Sequence, residues 1–158
     1  MSRLPNLGPR GEGWFAGQLV IFAVVAYGGL LDGAWSGPLR VATVAAGAVM
    51  LGSGGLLAFR GVVDLRDSLT PFPAPLPGGR LVDCGAYGLV RHPIYTGLVT
   101  GAFGWGLALA SPVALAGGLV LGIFFDLKSR REEVWLEERY PDYATYRTRT
   151  RKLIPWLY

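Results

Sequence analysis

The sequence predicts an all-α integral membrane protein with about four transmembrane helices, the last two forming a hairpin, followed by cytoplasmic helices. Of its 158 residues, 51% are hydrophobic and only 16% are charged. A soluble domain of this size could not bury that much apolar surface. The uncharged residues are also gathered into long stretches, which indicates spans. We expect one membrane domain covering residues 1–158.

Three stretches lack charged side chains: 13–31, 41–59 and 92–125. The first two have 19 residues each, about 28 Å as helix, which is enough for one span apiece. The third has 34 residues and is too long for one ordinary span. Because Pro112 removes a backbone donor and disfavours helix at Ser111, a tight turn should divide this stretch. The predicted spans are therefore 13–31, 41–59, 93–110 and 112–127.

The positions of the basic residues test this arrangement. With the amino terminus in the cytoplasm, fourteen of the fifteen Lys and Arg residues lie on the cytoplasmic side and only Arg40 lies outside. This agrees with the positive-inside rule and predicts that both termini are cytoplasmic. It also accounts for the net charge of +4 without nucleic acid as a partner. We expect the protein in the inner membrane of a bacterium or archaeon, surrounded by lipids.

The connector between the second and third spans, residues 60–85, contains four alternating prolines between positions 71 and 77. Alternating prolines favour an extended path. Such a segment is either a passive linker or a strap over a cytoplasmic pocket, and composition favours the linker. Cys84 is the only cysteine of the chain, so neither an intrachain disulfide nor a CxxC metal site is expected, and we predict no metal.

The cluster Arg91-His92-Pro93-Ile94-Tyr95-Thr96-Gly97 stands where the third apolar stretch begins. Arginine offers a planar fork to a carboxylate or phosphate. Histidine donates or accepts a proton near neutral pH, and tyrosine presents a π-face to a cation. Taken singly, each has a structural explanation as a snorkelling anchor or a hydrogen-bonding side chain. Together, at a helix end begun by Pro93, they indicate a functional site.

The charged tail, residues 128–155, supplies a partner for this cluster. Glu132 and Glu133 lie on a predicted helix, where pairing with Lys128 at the helix surface is one interpretation of Glu132. Because this helix follows the last span directly, a carboxylate can instead face the cleft that holds Arg91. A carboxylate beside a buried positive ligand is electrostatically reasonable.

Residues 81–97 resemble a pattern of the isoprenylcysteine carboxyl methyltransferase and phospholipid methyltransferase family, in which Leu-Val, a glycine and a tyrosine precede Arg-His-Pro-x-Tyr-x-Gly. A second block follows in the same order, with paired glutamates at 132–133, spaced tyrosines at 140–146 and Ile154-Pro155. Both blocks in order make the resemblance specific. The family typically has Phe-Gly where this chain has Tyr140-Pro141, a small departure in a turn.

The resemblance implies an integral-membrane enzyme that uses S-adenosylmethionine without a Rossmann domain, and no Gly-rich βαβ pattern occurs here. It implies that segments 81–97 and 128–155 enclose the cofactor on the cytoplasmic side. It assigns catalytic roles to Arg91, nearest the acceptor, and to Glu133, which would hold the methionyl ammonium. The implied cofactor-binding residues are Leu81, Val82, Gly85, Tyr87, Val90, His92, Pro93, Tyr95, Gly97, Glu132 and Glu133.

The acceptor is expected to be hydrophobic or lipid-linked, similar to an isoprenylcysteine carboxylate, with a phospholipid amine or a small thiol as alternatives. A carboxylate acceptor needs only positioning by Arg91, whereas an amine or thiol must lose a proton, for which His92 and Glu133 are candidates. An NADPH-dependent sterol-type reductase has a similar architecture, but its motif carries Asn and Asp where this chain has Ile94 and Leu98. A non-catalytic membrane scaffold would explain the spans but not two ordered polar blocks.

Overall fold

The computed structural model describes residues 4–31 and 33–158. In these residues the chain forms five α-helices, and the predicted all-α class is confirmed. The helices are α1 (Glu12–Gly29), α2 (Gly37–Leu65), α3 (Pro93–Ala108), α4 (Pro112–Arg139) and α5 (Tyr143–Arg149). Short 3₁₀ turns at Arg66–Ser68 and Gly85–Gly88 flank the proline-containing connector. Arg3, one of the basic residues predicted to be cytoplasmic, lies outside the described residues.

Two helical segments of the described chain, Gly37–Ser68 and Pro112–Arg139, are long and apolar enough to cross a membrane. Only 11% of the apolar window of the first is buried inside the protein. Large apolar side chains on α2, among them Val49, Leu56 and Phe59, therefore face outwards. An apolar helix surface of this extent suits lipid rather than water.

The predicted turn at Ser111-Pro112 is confirmed, and it joins α3 to α4 as a hairpin. Ser111 caps α4 by accepting a hydrogen bond from the Ala114 N–H at 3.1 Å, and its hydroxyl donates to the Gly28 carbonyl at 2.6 Å. Pro112 occupies the first turn, where a missing N–H costs no helical hydrogen bond. α4 then continues without a break through the charged residues 126–139, so the last apolar segment and the charged segment form one helix.

α3 packs against both α2 and α4, and α2 and α3 approach each other at glycines. The sequence predicts close packing at Gly97-xxx-Gly101. A Cβ added to Gly97 would meet the carbonyl oxygen of Gly54 and lie 2.7 Å from the nitrogen of Ala58. A Cβ added to Gly101 would meet nothing within 4 Å. The close approach therefore depends on Gly97 and Gly54, where backbone packs on backbone.

We expect Gly97→Ala to destabilise the protein by about 1–3 kcal/mol, because the backbone of α2 would have to move to admit the methyl group. Thermal unfolding of the detergent-purified variant, followed by tryptophan fluorescence, measures the loss. Gly101→Ala is the matched control on the same helix, since its methyl group enters open space. Equal unfolding temperatures for the two variants would contradict the proposed helix contact.

Candidate functional site

A cavity of about 290 Å³ lies where the charged end of α4 meets the end of α2, the start of α3 and the proline-containing connector. Seven of the sequence-predicted site residues border it: Leu81, Val82, Tyr87, Arg91, His92, Tyr95 and Glu132. The structure therefore brings the first motif block and one of the paired glutamates to the same cavity.

The other predicted residues, Gly85, Val90, Pro93, Gly97 and Glu133, do not border this cavity. Gly85 has a positive φ of 61°, and a Cβ there would collide with the carboxylate of Asp64. That carboxylate accepts a hydrogen bond from the Ala86 N–H at 2.8 Å, which ties the Gly85–Gly88 turn to α2. This residue shapes the loop rather than lining the cavity.

Val90 and Pro93 fix the course of the chain around Arg91. Val90 is fully buried and forms an isolated parallel bridge with Arg151. The Arg91 N–H donates to the Arg151 carbonyl at 2.8 Å, and the His92 N–H donates to the Lys152 carbonyl at 3.2 Å. Pro93 then begins α3. The segment 90–92 is thus held against a strand-like segment about 60 residues later in the chain.

Three aromatic rings are stacked on one side of the cavity. The ring of Tyr95 lies between those of His92, at 5.4 Å between centroids, and Phe125, at 4.4 Å, and all three are nearly parallel. The hydroxyl of Tyr95 donates to Oε2 of Glu132 at 2.7 Å, which fixes that carboxylate beside the stack. Nδ1 of His92 lies 3.9 Å from the same oxygen. His92 and Tyr95 of this stack border the cavity beside Glu132, which gives the cavity one negative charge.

Glu133 points away from the cavity and forms a buried ion pair with Arg91. Nε of Arg91 donates to Oε1 of Glu133 at 2.8 Å, and Nε2 of His92 lies 3.2 Å from the same oxygen. Both charged side chains are less than a tenth exposed. Arg91 also donates through Nη1 to the backbone carbonyls of Thr150 and Arg147. Arg91 therefore joins α3 to α4 and to the end of α5.

The ionisation of Glu133, which lies beyond the apolar part of α4, follows from these contacts. Burial raises the pKa of its carboxyl, but the hydrogen bonds and positive charges of His92, in its protonated form, and of Arg91 outweigh burial and lower the pKa to about 2. Glu133 is consequently a carboxylate at neutral pH and a poor acceptor of a proton.

Tyrosine side chains hold α5 against the Gly85–Gly88 turn: Tyr87 lies in the turn, and Tyr143 and Tyr146 lie on α5. The sequence indicated Tyr143 and Tyr146 only as members of the second motif block. The hydroxyl of Tyr146 donates to the Tyr87 carbonyl at 2.7 Å. The hydroxyl of Tyr143, a residue only 1% exposed, has no hydrogen-bond partner among the described residues. Burial raises the pKa of both Tyr143 and Tyr146, so both hydroxyls stay neutral. Tyr143 also borders the cavity.

Lys128 and Gln18 border the cavity and were missed by sequence reasoning. The ammonium of Lys128, a residue 1% exposed, donates to Oε1 of Gln18 at 2.7 Å and to the Pro71 carbonyl at 3.1 Å. The sequence interpretation placed Lys128 on the helix surface. The signal that could have identified this pair is Gln18, the one amide within the apolar stretch 13–31, because polar residues inside spans are costly and usually serve a function.

The proline-containing connector is a strap over this cavity, so the preferred interpretation as a passive linker is wrong. Pro71, Pro73 and Pro75 all border the cavity, and Pro73 is almost fully buried. The strap is attached to the start of the chain: the guanidinium of Arg10 lies 4.5 Å from the centre of the Phe72 ring, and Phe15 meets that ring edge-on. Composition indicates the extended path but not what it covers.

We expect Lys128→Met to loosen the strap, because Gln18 and the Pro71 carbonyl would lose a charge-assisted donor worth about 1.5–3 kcal/mol. Limited proteolysis should then cut the region 69–80 several-fold faster than in the unmodified protein. Glu138→Gln, at an exposed position of the same helix, is the control and should leave the rate of cleavage unchanged. Unchanged cleavage in Lys128→Met would mean that the strap is held by its contacts with Arg10 and Phe15 alone.

A comparison with protein families identifies the family of this chain. Residues 42–143 match the family model described as phospholipid methyltransferase. The chain belongs to the phospholipid methyltransferase family. No curated protein sequence matches the chain significantly. The match runs from early α2 to the start of α5 and contains the first motif block and both glutamates.

Membership in the phospholipid methyltransferase family establishes several of the expectations. The protein is an integral-membrane methyltransferase that uses S-adenosylmethionine, and the resemblance drawn from residues 81–97 and 128–155 is confirmed. The reductase and the scaffold, kept as alternatives, are wrong. Membership in this family implies that the methyl acceptor is a phospholipid. The sequence interpretation had ranked a phospholipid amine below an isoprenylcysteine-like carboxylate.

Proposed function

We propose that this protein transfers methyl groups from S-adenosylmethionine to the headgroup amine of a phospholipid, at the cytoplasmic face of a membrane that it crosses four times. The observation that carries the proposal is the cavity itself. It combines an accessible carboxylate, a stack of aromatic rings and a buried hydroxyl without a partner among the described residues, next to helix faces suited to lipid.

The residues around the cavity fit S-adenosylmethionine. Glu132, whose side chain is 23% exposed, offers a negative charge to the ammonium group, and the ring of Tyr87, which also borders the cavity, suits the positive sulfur. The buried hydroxyl of Tyr143 lacks a partner among the described residues, so a bound polar group there would satisfy it. Lys128 also borders the cavity, and its ammonium suits the cofactor's carboxylate.

We assign the ammonium-binding role to Glu132 in place of Glu133. Glu133 is less than a tenth exposed and is already neutralised by Arg91, so it has no free charge to offer a second cation. Arg91 and Glu133 then act as positioning residues that fix His92 on the cavity wall. Gly85, Val90, Pro93 and Gly97 support the site through the backbone, while Leu81, Val82 and Tyr87 border the cavity directly.

The cofactor supplies a methyl group already activated by a positive sulfur, so the chain's own residues have to align the acceptor, exclude water and accept a proton. An amine acceptor must be neutral to attack and has to lose its proton. His92 borders the cavity and, in its neutral form, is the residue that we assign to accept that proton, since Glu132 holds the ammonium group and Glu133 has a pKa of about 2. The apolar wall formed by Ile94 and Leu98 excludes water from this region.

Family membership and the contacts of Arg91 both support a phospholipid amine as the acceptor. A carboxylate acceptor would need a free arginine fork, but Nε and Nη1 of Arg91 are occupied by Glu133 and by two backbone carbonyls. A phospholipid amine has no such requirement. Its methylated product would be a more substituted amine that stays in the bilayer.

Labelled methyl transfer tests the acceptor. The purified protein in phospholipid nanodiscs is given S-adenosylmethionine with a labelled methyl group, and lipids are extracted and separated. We expect label in the lipid fraction when phosphatidylethanolamine is present and none with phosphatidylglycerol in its place. Label transferred instead to S-farnesylcysteine or to a small thiol, with phosphatidylethanolamine unmodified, would overturn the proposal.

In the proposed topology α1 and α3 cross the membrane as well as the two apolar helices, α2 and α4. α1 packs against α4, and α3 packs against α2. The single cysteine, Cys84, is exposed and lies beside the cavity-bearing end, so it reports the side on which that end lies. In intact cells a membrane-impermeant thiol reagent should label Cys84 only after permeabilisation. A Ser36→Cys, Cys84→Ser double variant carries its thiol at the other end of α2. This thiol should be labelled in intact cells without permeabilisation.

A further inference from the structure

A second cavity, of about 590 Å³, lies beside the buried ion pair of Arg91 and Glu133. Arg91 borders both cavities, whereas Glu133 borders only the second and Glu132 only the first. The second cavity is lined by five basic side chains and a single carboxylate, Glu133. Its basic residues are Arg91, Arg130, Arg147, Arg151 and Lys152.

The positive charge in this cavity is only partly neutralised. Arg147 pairs with Glu137, and Arg91 pairs with Glu133. Arg130 and Lys152 share one carboxylate, that of Asp126, at 2.7 and 2.6 Å. Arg151 is exposed and takes part in no ion pair among the described residues. Two positive charges are therefore left in excess, one from the shared carboxylate and one from Arg151.

The second cavity lies at the depth of lipid headgroups. The apolar part of α4 ends at Phe125, and its outer face carries the exposed side chains of Leu119 and Ile123. Arg130 is five residues beyond Phe125, about 7 Å along the helix, and the headgroup layer on each side of a bilayer is of the order of 5–7 Å thick. Basic side chains at this depth meet the phosphates of lipids.

Exposed apolar side chains next to the same cavity point to a lipid rather than a free anion. Leu157 lines the cavity, and it is 77% exposed, while its neighbour Trp156 is 89% exposed. Tyr158 donates to Oδ1 of Asp126 at 2.8 Å, which holds this apolar turn beside the end of the apolar helix segment. Tryptophan and tyrosine favour the interface between headgroups and acyl chains. A free phosphate would gain nothing from these side chains.

We infer that the second cavity binds the phosphate of an anionic membrane phospholipid, with Arg151 and the excess charge of Arg130 and Lys152 as its ligands and the Trp156–Leu157 turn against the acyl chains. This lipid is a partner of the protein and not its methyl acceptor, so the inference does not depend on which headgroup is methylated. The backbone pairing of 151–152 with 91–92 connects the lipid site to the wall of the first cavity.

Binding of short-chain lipids to the purified protein in a neutral detergent tests the inference, with calorimetry as the readout. We expect dioctanoyl phosphatidylglycerol to bind, and dioctanoyl phosphatidylcholine, whose net charge is zero, to bind at least tenfold more weakly. Arg151→Gln should weaken binding of phosphatidylglycerol about fivefold, since one basic residue near a membrane surface contributes about that factor. Arg151→Glu should weaken it by more than tenfold. Arg151 is exposed, so neither variant disturbs the core.

Arg60→Gln is the matched control, because Arg60 is exposed, lies at the same edge of the apolar region on α2 and does not line the second cavity. It should bind phosphatidylglycerol as the unmodified protein does. An equal loss in Arg60→Gln and Arg151→Gln would overturn the inference in favour of general surface charge. Binding of inorganic phosphate as tight as that of the lipid would overturn the assignment to a membrane lipid, as would unchanged binding in Arg151→Glu.

Discussion

Replacing Glu132 by glutamine should weaken the binding of S-adenosylmethionine at least tenfold, or about 1.4 kcal/mol. The amide keeps the size of the side chain and can still accept a hydrogen bond from Tyr95, but it removes the negative charge that Glu132 presents to the cavity. A cationic ligand then loses its counter-charge in a partly buried site. Calorimetric titration of the detergent-purified variant measures the change.

Glu138→Gln is the control for this experiment, because Glu138 is exposed on the same helix and does not border the cavity. It removes the same charge from the protein and should leave the affinity within twofold. The unfolding temperature of Glu132→Gln should also stay close to that of the unmodified protein. Unchanged affinity in Glu132→Gln, with a tenfold loss in Glu133→Gln, would return the ammonium-binding role to Glu133.

Removing Glu133 should act chiefly on stability. In Glu133→Ala the guanidinium of Arg91, whose side chain is 9% exposed, is left buried without a counter-charge, and we expect a loss of about 3–5 kcal/mol. Thermal unfolding in detergent gives the size of the effect. Arg91→Met combined with Glu133→Leu should recover much of the loss, since an apolar pair leaves no unpaired charge.

The contribution of Glu133 to stability should also depend on pH, in a direction set by the lowered pKa of its carboxyl. A carboxyl with a folded-state pKa of about 2 against an ordinary value of 4.5 stabilises the fold fully above pH 4.5. The stabilisation is lost as pH falls from 4.5 towards 2. The difference in stability between the unmodified protein and Glu133→Ala should therefore shrink over that interval and be constant from pH 5 to 7. A difference that persists at pH 2 would mean that packing, not the ion pair, explains the loss.

The all-α class and the hairpin could be predicted because they depend on local properties of the sequence, whereas the predicted last span and the charged helix after it form the single helix α4. The lengths of the uncharged stretches set the helices, and Pro112 set the turn after α3. The boundaries were less predictable: α2 extends to Leu65, six residues beyond its apolar stretch, because nothing at Arg60 prevents the helix from continuing. Charged residues therefore show where the apolar surface of a helix ends, but they do not show where the helix itself ends.

The choice between Glu132 and Glu133 was not predictable from the sequence. Adjacent helical residues point about 100° apart, so only one of them can face a given neighbour, and the rotation of α4 about its axis decides which. That rotation is set by packing against α1 and α3. The strap was unpredictable for a similar reason, since Arg10 and Phe15, which hold Phe72 in place, are more than 50 residues away in sequence.

The pairing of residues 90–92 with 150–152 has a consequence for biosynthesis. Residues 150–152 are synthesised about 60 residues after Arg91 and His92, so α3 and α4 leave the ribosome before the segment that pairs with residues 90–92. In that interval the guanidinium of Arg91 and the backbone N–H groups of Arg91 and His92 lack the carbonyls of residues 150–152. This pairing therefore forms late, and we expect chains truncated before residue 150 to expose unsatisfied polar groups and to be degraded faster than the unmodified protein.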